Sequence, residues 1–261
     1  MAYDFKYVFG PVYSWRLGMS LGIDPVSDKT KVCNFDCVYC QLGDTAVLTN
    51  ERKVYVPTQR IVDEVKQLPE VMIDHITFSG RGEPTLAANL GEMIQALRAF
   101  RKEKIAVITN ASLMDKEEVR QDLALADQVL AKLDVCDQHS LAQINKAVHD
   151  VKFLGIVEGI EQFKKGFKGR LALQLMFIEE NKNAATKIAA LCRRISADEI
   201  QINTPLRPSS VKPLTKRELD DIKACFEGLP AVTVYEKEPK PYTPFNEAET
   251  KKRHGNYKIS R

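Results

Sequence analysis

The chain has 261 residues, with 38 Lys plus Arg against 35 Asp plus Glu, for a net charge of +3. Hydrophobic residues make up 44% and charged residues 28%, which excludes wholesale disorder. No apolar run approaches the ~18–20 residues that cross a bilayer, and a charge this small does not by itself imply a nucleic-acid partner. The opening Met1-Ala2-Tyr3-Asp4-Phe5-Lys6 carries an early acid and no long apolar stretch, so no signal peptide is read and a cytoplasmic protein is expected.

Residues 1–32 lack helical periodicity and are rich in Gly, Pro and aromatics, with Leu17 to Ile23 alternating as a strand. From residue 57 the pattern becomes regular. Thr58 is the expected N-cap of a helix to Leu68, with Ile61, Val62, Val65 and Leu68 on one face. His75 to Phe78 reads as a buried strand, Leu86 to Phe100 as a helix, Lys104 to Thr109 as a strand, Asp115 to Ala124 as a helix and Gln128 to Leu133 as a strand. Helices are expected over 139–147 and 150–165, a strand over 171–177, a helix over 183–195 and a strand over 199–203. Thr215 caps a helix to Glu227, and 232–235 reads as a last short strand. Alternating strands and helices imply a parallel sheet. About six units are too few for an eightfold barrel, so the expected fold is α/β, a partial (β/α)6 TIM-like barrel, with a doubly wound sheet as the alternative. The barrel domain is read as 1–235. Residues 236–261 read as a polar tail, with Lys251, Lys252, Arg253, Lys258 and Arg261 and no acid after residue 250. That tail is either loosely held or an arm that touches a polyanion.

Six cysteines are present, and three of them fall in Cys33-Asn34-Phe35-Asp36-Cys37-Val38-Tyr39-Cys40, the spacing C-x3-C-x2-C. Reducing compartments disfavour disulfides, and short loops let three thiolates converge on one inorganic centre. Structural zinc takes four protein ligands, and no fourth Cys or His lies near. A [4Fe–4S] cluster on three thiolates leaves one iron without a protein ligand. The spacing, with Tyr39 as the aromatic before the third cysteine, resembles the radical S-adenosylmethionine (SAM) superfamily. That resemblance implies that Cys33, Cys37 and Cys40 hold the cluster and that the SAM amine and carboxylate chelate the open iron. It also implies that a one-electron donor of flavodoxin or ferredoxin type triggers C–S cleavage to a 5′-deoxyadenosyl radical, which takes a hydrogen from the substrate.

In parallel barrels ligands sit at the C-terminal ends of strands. The strand at 73–78 runs into Ser79-Gly80-Arg81-Gly82-Glu83-Pro84-Thr85. Two glycines let backbone approach a ligand, and the resemblance assigns Gly80, Gly82 and Glu83 to the SAM ammonium, with Arg81 interrupting the usual Gly-Gly-Glu. Asn110 and Ser112 follow the next strand and are either contacts to the SAM carboxylate or ribose, or helix caps. Lys132 and Asp134, two apart on one strand face, either contact the SAM carboxylate and the ribose or substrate, or form a structural ion pair. Gln174 is a ribose or substrate contact or a core amide. Gln201 and Asn203 share a face, and Arg207 in a Pro-stiffened loop either holds an anionic group or is exposed. Among the other cysteines, Cys192 and Cys225 read as core, and Cys136 either lines the cavity or is a bystander.

Gly10 to Asp24, with the only Trp, joins Cys-Asn-Phe-Asp-Cys-Val-Tyr-Cys, Ser-Gly-Arg-Gly-Glu-Pro-Thr-Leu, Ala-Lys-Leu-Asp and Asn-Thr-Pro-Leu-Arg-Pro in resembling the wyosine-type Fe–S oxidoreductase branch. That branch includes an activity on a modified guanosine in transfer RNA, so RNA is one candidate substrate. The chain lacks the second N-terminal cysteine triplet of that enzyme. Two other functions stay open: an activase for a glycyl radical enzyme, and a non-enzymatic metal-dependent nucleic-acid-binding module.

Overall fold

The computed structural model describes residues 4–26 and 30–254. In chain order its elements are β1 (Val8–Ser14), β2 (Gly18–Ile23), β3 (Val32–Cys33), β4 (Val47–Leu48), α1 (Thr58–Lys66), β5 (His75–Phe78), α2 (Leu90–Arg98), β6 (Lys104–Thr109), α3 (Glu117–Leu123), β7 (Gln128–Lys132), α4 (Gln138–Ser140), α5 (Phe153–Gly166), β8 (Arg170–Met176), α6 (Ala185–Ile195), β9 (Glu199–Asn203), α7 (Lys216–Ala224), β10 (Ala231–Thr233) and α8 (Glu247–His254). One eight-stranded sheet runs β1-β2-β5-β6-β7-β8-β9-β10, and every neighbouring pair after β1–β2 is parallel. Helices α1, α2, α3, α5, α6 and α7 link its successive parallel strands, which gives the six β/α units of the expected partial barrel.

Alternation divides each strand between two environments. Leu21, Ile76, Ile105, Val129, Leu171 and Ile200 pack towards the helices in the main core. Leu17, Ala106, Leu130 and Ala172 form a separate small cluster with Ile108, an apolar floor inside the sheet's curve. One step further along the strands that inner face turns polar: Lys132 pairs in register with Gln174, and Gln174 with Gln201. The floor excludes water, and the polar layer above it faces the strand ends where the site lies.

Four departures from the sequence reading have physical causes. The hairpin strand β1 was not expected, because Gly10 and Pro11 break its alternation and its register shifts between Phe9 and Val12. It is anchored by Glu64 of α1, a buried carboxylate that accepts from the backbone N–H groups of Lys6, Tyr7 and Val8 at 2.8–3.0 Å. Thr58 does not cap its helix: Pro57 holds the cap position, Thr58 is the first helical residue, and its hydroxyl accepts from Asn89 Nδ2 at 3.0 Å. The capping box at Thr215 and Glu218 forms as expected. The helix expected over 139–147 runs from Gln138 to Asn145, but it widens after Ser140 into a π-helical turn and ends at left-handed Lys146. Its carbonyls are used elsewhere: Asn145 O accepts from Asp36 N at 3.0 Å and Ile144 O from Val38 N at 2.9 Å.

The fourth departure is the C-terminal segment. The described part of the expected loose tail forms α8, packed on β1, where Gly10 N–H donates to Thr250 Oγ1 at 2.9 Å and Phe245 N–H to Gly10 O at 2.8 Å. Lys251 pairs with Glu247 and Lys252 with Glu249, and Arg253 is buried, so these cations are not a free polyanion-binding arm. Lys258 and Arg261 lie outside the described residues.

Candidate functional site

The cysteine loop begins at β3 and is laced to the strand ends. Cys33, Cys37 and Cys40 are free thiols, each half-buried. Each sulfur meets different N–H donors. Phe35 N–H donates to Cys33 Sγ at 3.4 Å, Asn145 Nδ2 to Cys37 Sγ at 3.4 Å, and Lys31 Nζ to Cys40 Sγ at 3.2 Å. Lys31 also donates to Gly43 O at 2.6 Å. Burial pushes the Cys33 thiol up strongly and the Cys37 thiol to about 11, with the Asn145 hydrogen bond pulling Cys37 back down. As bare thiols they stay protonated at neutral pH, and a thiolate there needs a cation to compensate it.

The glycine segment is docked onto this loop. A Cβ on Gly82 would sit 1.8 Å from Val32 O, and Glu83 N–H donates to that carbonyl at 3.2 Å. Gly80, at φ +118°, wraps the Asp24 side chain, whose Cγ lies 2.6 Å from an added Cβ. The glycines therefore serve the close approach of backbone to β3 and to Asp24. Glu83 is buried, and its Oε1 accepts from Thr85 N–H at 3.0 Å, Thr85 Oγ1 at 2.6 Å and Thr109 Oγ1 at 2.6 Å, while Oε2 accepts from Asn110 N–H at 2.7 Å. Burial raises its pKa and these donors oppose that shift. Glu83 thus clamps the loop to the end of β6. The ammonium-accepting role expected of its side chain is left only the second lone pair of Oε2.

Asn110 and Ser112 come together with a residue that sequence reading missed. Asn110 Nδ2 donates to Asn34 Oδ1 at 2.7 Å, Ser112 Oγ donates to Asn110 Oδ1 at 2.6 Å, and Asn34 Nδ2 donates to Ser112 Oγ at 2.6 Å. Neither residue caps a helix, since α3 starts at Glu117.

A second buried hub is Asp134. Its Oδ2 accepts from the Tyr39 hydroxyl and from Asn145 Nδ2 at 3.2 Å, and its Oδ1 accepts from Met176 N–H at 2.7 Å and Lys132 Nζ at 3.3 Å. Lys132 lies over the Tyr39 ring, 5.1 Å from its centroid. Of the two readings for Lys132 and Asp134, the mutual ion pair is present, and it ties the cysteine loop to β7 and β8. Gln174 lies buried beside Lys132 in register. Asn203 Oδ1 accepts from Thr204 N–H at 2.9 Å and shapes its own loop.

Arg207 does not join this group. Its guanidinium donates to His254 O at 2.9 Å and to His254 Nε2 at 2.6 Å, at the end of α8. Arg16 is electrostatically coupled to both Arg207 and His254. Burial and Arg207 lower Arg16 to about 10. Its Nε and Nη1 are covered and find no acceptor among the described residues. The Glu199 carboxylate accepts from Arg170 and from Gln201 Nε2 at 2.7 Å.

A cavity of about 630 Å³ is lined by Cys37, Cys40, Asp36, Lys146 and residues 208–210, among others, within the range that holds small-molecule ligands. A cavity of about 730 Å³ between Ile73 and Lys104 lies at the opposite ends of β5 and β6, without cysteines. Cys136 donates to Asp137 at 3.5 Å and does not line the cysteine cavity, Cys192 is core, and Cys225 is partly buried at the end of α7.

Residues 28–192 match the family model of the radical SAM superfamily. A UPF0026 protein of Synechocystis sp. is 40% identical over 217 residues, covering 83% of this chain and 80% of that protein. The chain belongs to the radical SAM superfamily and to the UPF0026 proteins. Its fold is similar to Streptococcus suis SuiB bound to precursor peptide SuiA, with a TM-score of 0.61 at 15% identity over 81% of this chain, which spans 48% of SuiB. It is also similar to archaeal TYW1, with a TM-score of 0.58 at 16% identity over 80% of this chain and 72% of that one.

Radical SAM enzymes use a [4Fe–4S] cluster and SAM, and the residues here fit that pair. Among the described residues no three His, Cys, Asp or Glu side chains are grouped to hold a single ion. A cluster asks for something else, since it engages each thiolate through a different iron. The separate N–H donors at the three sulfurs supply the hydrogen bonds that such thiolates require. No helix among the described residues is long and apolar enough to cross a membrane.

The missed residues share one signal. Lys31 and Asn34 flank the first cysteine, and Asn145 sits where a helical pattern ends in Asn-Lys, a frequent left-handed stop. Lys146 has φ +46°.

Proposed function

We propose that this chain is a radical SAM enzyme in which Cys33, Cys37 and Cys40 hold a [4Fe–4S] cluster and SAM fills the open iron, acting on an anionic substrate. The observation that carries this reading is the set of three thiols, each met by its own N–H donors, beside a cavity at the strand ends of a partial barrel. When bound and reduced, the cluster supplies the electron that splits the SAM C–S bond, and the resulting 5′-deoxyadenosyl radical takes a hydrogen from the substrate. The chain's own residues hold and shield this chemistry. Asn145 and Lys31 direct N–H dipoles and charge at the sulfurs, which tunes the reduction potential. Glu83 locks the glycine segment to the end of β6, and Asp134 locks the cysteine loop to β7 and β8. The Asn34, Asn110 and Ser112 triangle and the Gln174 amide are the polar groups available to the SAM carboxylate and ribose.

The anionic substrate is supported by the cations in the β1–β2 turn and after β9. Arg16 and Arg207 place two guanidinium charges within range of each other, and His254 stays neutral, held down to about 2 by burial and both arginines. An always-charged guanidinium with covered N–H groups lacking acceptors is poised for an oxyanion. RNA is one member of that class. A flavodoxin- or ferredoxin-like protein is the proposed electron donor.

The test is anaerobic reconstitution followed by dithionite and SAM. About four irons per chain and release of 5′-deoxyadenosine are expected. A colourless zinc-loaded protein that releases none would overturn the reading.

A further inference from the structure

The C-terminal helix reaches the glycine segment through one buried ion pair. Arg253 of α8 is 2% exposed and donates from Nε to Asp24 Oδ2 at 3.0 Å, and Asp24 is fully buried. The other end of the guanidinium donates to Glu249 on the preceding turn. Asp24 stands just beyond the C-terminal end of β2, and the same Oδ2 accepts from Arg81 N–H at 3.2 Å. Its Oδ1 accepts from Val26 N–H at 3.3 Å. Gly80 wraps this carboxylate at a φ that only glycine adopts freely. A residue 229 positions away in sequence therefore neutralises the charge on which the Gly80–Gly82 turn is built.

We infer that Arg253 is a positioning residue for SAM, acting through Asp24, and that α8 is a structural latch on the SAM-binding turn. This rests on the radical SAM reading for what the turn binds. The physical argument is that a fully buried carboxylate that loses a cationic partner is less stable as an anion. Asp24 then either takes up a proton or turns towards solvent. Either change weakens its bond to the Arg81 N–H and frees the turn that carries Gly80 and Gly82. The thiols keep their own donors, Lys31, Asn145 and Phe35, and none of these is hydrogen-bonded to Arg253, so cluster assembly is expected to persist.

The latch also changes what truncation does. A chain ending at Tyr235 would be harmless if residues 236–261 served only the substrate. With the latch, it loses SAM affinity.

The experiment compares Arg253→Met, Arg253→Lys, Asp24→Asn and Arg253→Met/Asp24→Asn with the full-length protein, in two arms. In the cluster-free protein, amide hydrogen exchange is read residue by residue. The latch predicts at least tenfold faster exchange at Arg81 in Arg253→Met, with β6 and β7 unchanged and partial protection restored in Arg253→Lys. In the reconstituted protein, SAM binding is measured by equilibrium dialysis alongside iron content. About tenfold weaker SAM binding at unchanged iron content is expected for Arg253→Met, with no further loss in the double variant because both changes remove one device. Should Arg253→Met not fold, the Arg253→Lys and Asp24→Asn data decide by the same criteria. Unchanged exchange at Arg81, a uniform rise across the sheet, or additive losses in the double variant would overturn the latch. If the wild-type chain itself binds no SAM, the radical SAM reading fails, while the exchange arm still decides whether Arg253 holds the turn.

Discussion

Two walls of the same barrel treat buried polarity in opposite ways. On the wall of the cysteine loop, β5, β6, β7 and β8, nearly every polar side chain meets one from another element. Glu83 gathers donors from Thr85, Thr109 and Asn110, and Asp134 gathers Tyr39, Asn145, Lys132 and Met176. On the wall of β9 and the β1–β2 turn, Arg16 is covered beside Arg207 with no acceptor for two of its nitrogens among the described residues, and Gln201 Oε1 is likewise unpartnered among them. A saturated network fixes geometry in advance, whereas orphaned donors mark a place where the polypeptide is not its own partner. On the function proposed above, the first wall suits a resident group and the second a visitor.

The largest expected effect tests the first wall. Cys37→Ala should abolish cluster assembly, seen as lost iron and lost visible absorbance, and reduce SAM cleavage to background; retained cleavage would remove Cys37 from the ligands. Next, Asp134→Ala strands Lys132, Asn145, the Tyr39 hydroxyl and the Met176 N–H together. It should lower the unfolding free energy by about 3–5 kcal/mol in urea titrations. A loss under 1 kcal/mol would show that the hub is not a preformed network.

The second wall predicts weaker effects, one of the opposite sign. His254 has its folded pKa lowered to about 2 from the ordinary 6.5, by burial first and the two arginines next. The neutral ring is therefore favoured by folding. Its contribution is complete above pH 6.5 and is lost as pH falls from 6.5 towards 2, at about 1.4 kcal/mol per pH unit. His254→Gln should flatten the stability profile between pH 6.5 and 5, and an unchanged slope would contradict the buried neutral ring. Arg16→Met removes a buried cation that Glu199 offsets only in part and should stabilise the protein by about 1 kcal/mol, because buried charge replaced by apolar volume is neutral or favourable. Destabilisation of that size would mean Arg16 is a structural group and the two walls are alike.

Much of the fold was legible in the sequence because its signals are periodic. Apolar spacing placed α2, α5, α6 and every parallel strand of the eight-stranded sheet within a few residues. The β1 hairpin was not legible, since Gly10 and Pro11 break the alternation. Nor was the widening into a π-helical turn after Ser140, whose last carbonyls serve the cysteine loop. In the site, cysteine spacing and strand-end position selected residues that do cluster: Tyr39 with Lys132 and Asp134, and Glu83 with Asn110 and Ser112. What spacing does not carry is pairing across long separations. Asp24 with Arg253, Asn34 with Asn110 and Asn145 with Cys37 each join segments that only the folded sheet brings together. For the same reason Arg207, grouped with the cofactor residues by its place after β9, turned out to face His254 and Arg16.

The central claim is that three cysteines leave one iron of a cluster to SAM. The most direct measurement is electron–nuclear double resonance on the reduced, reconstituted protein with SAM labelled at the methionyl nitrogen and carboxylate oxygens. Hyperfine coupling from both labels is predicted, and a cluster showing no coupling to either label, with a protein side chain on its fourth iron, would contradict it.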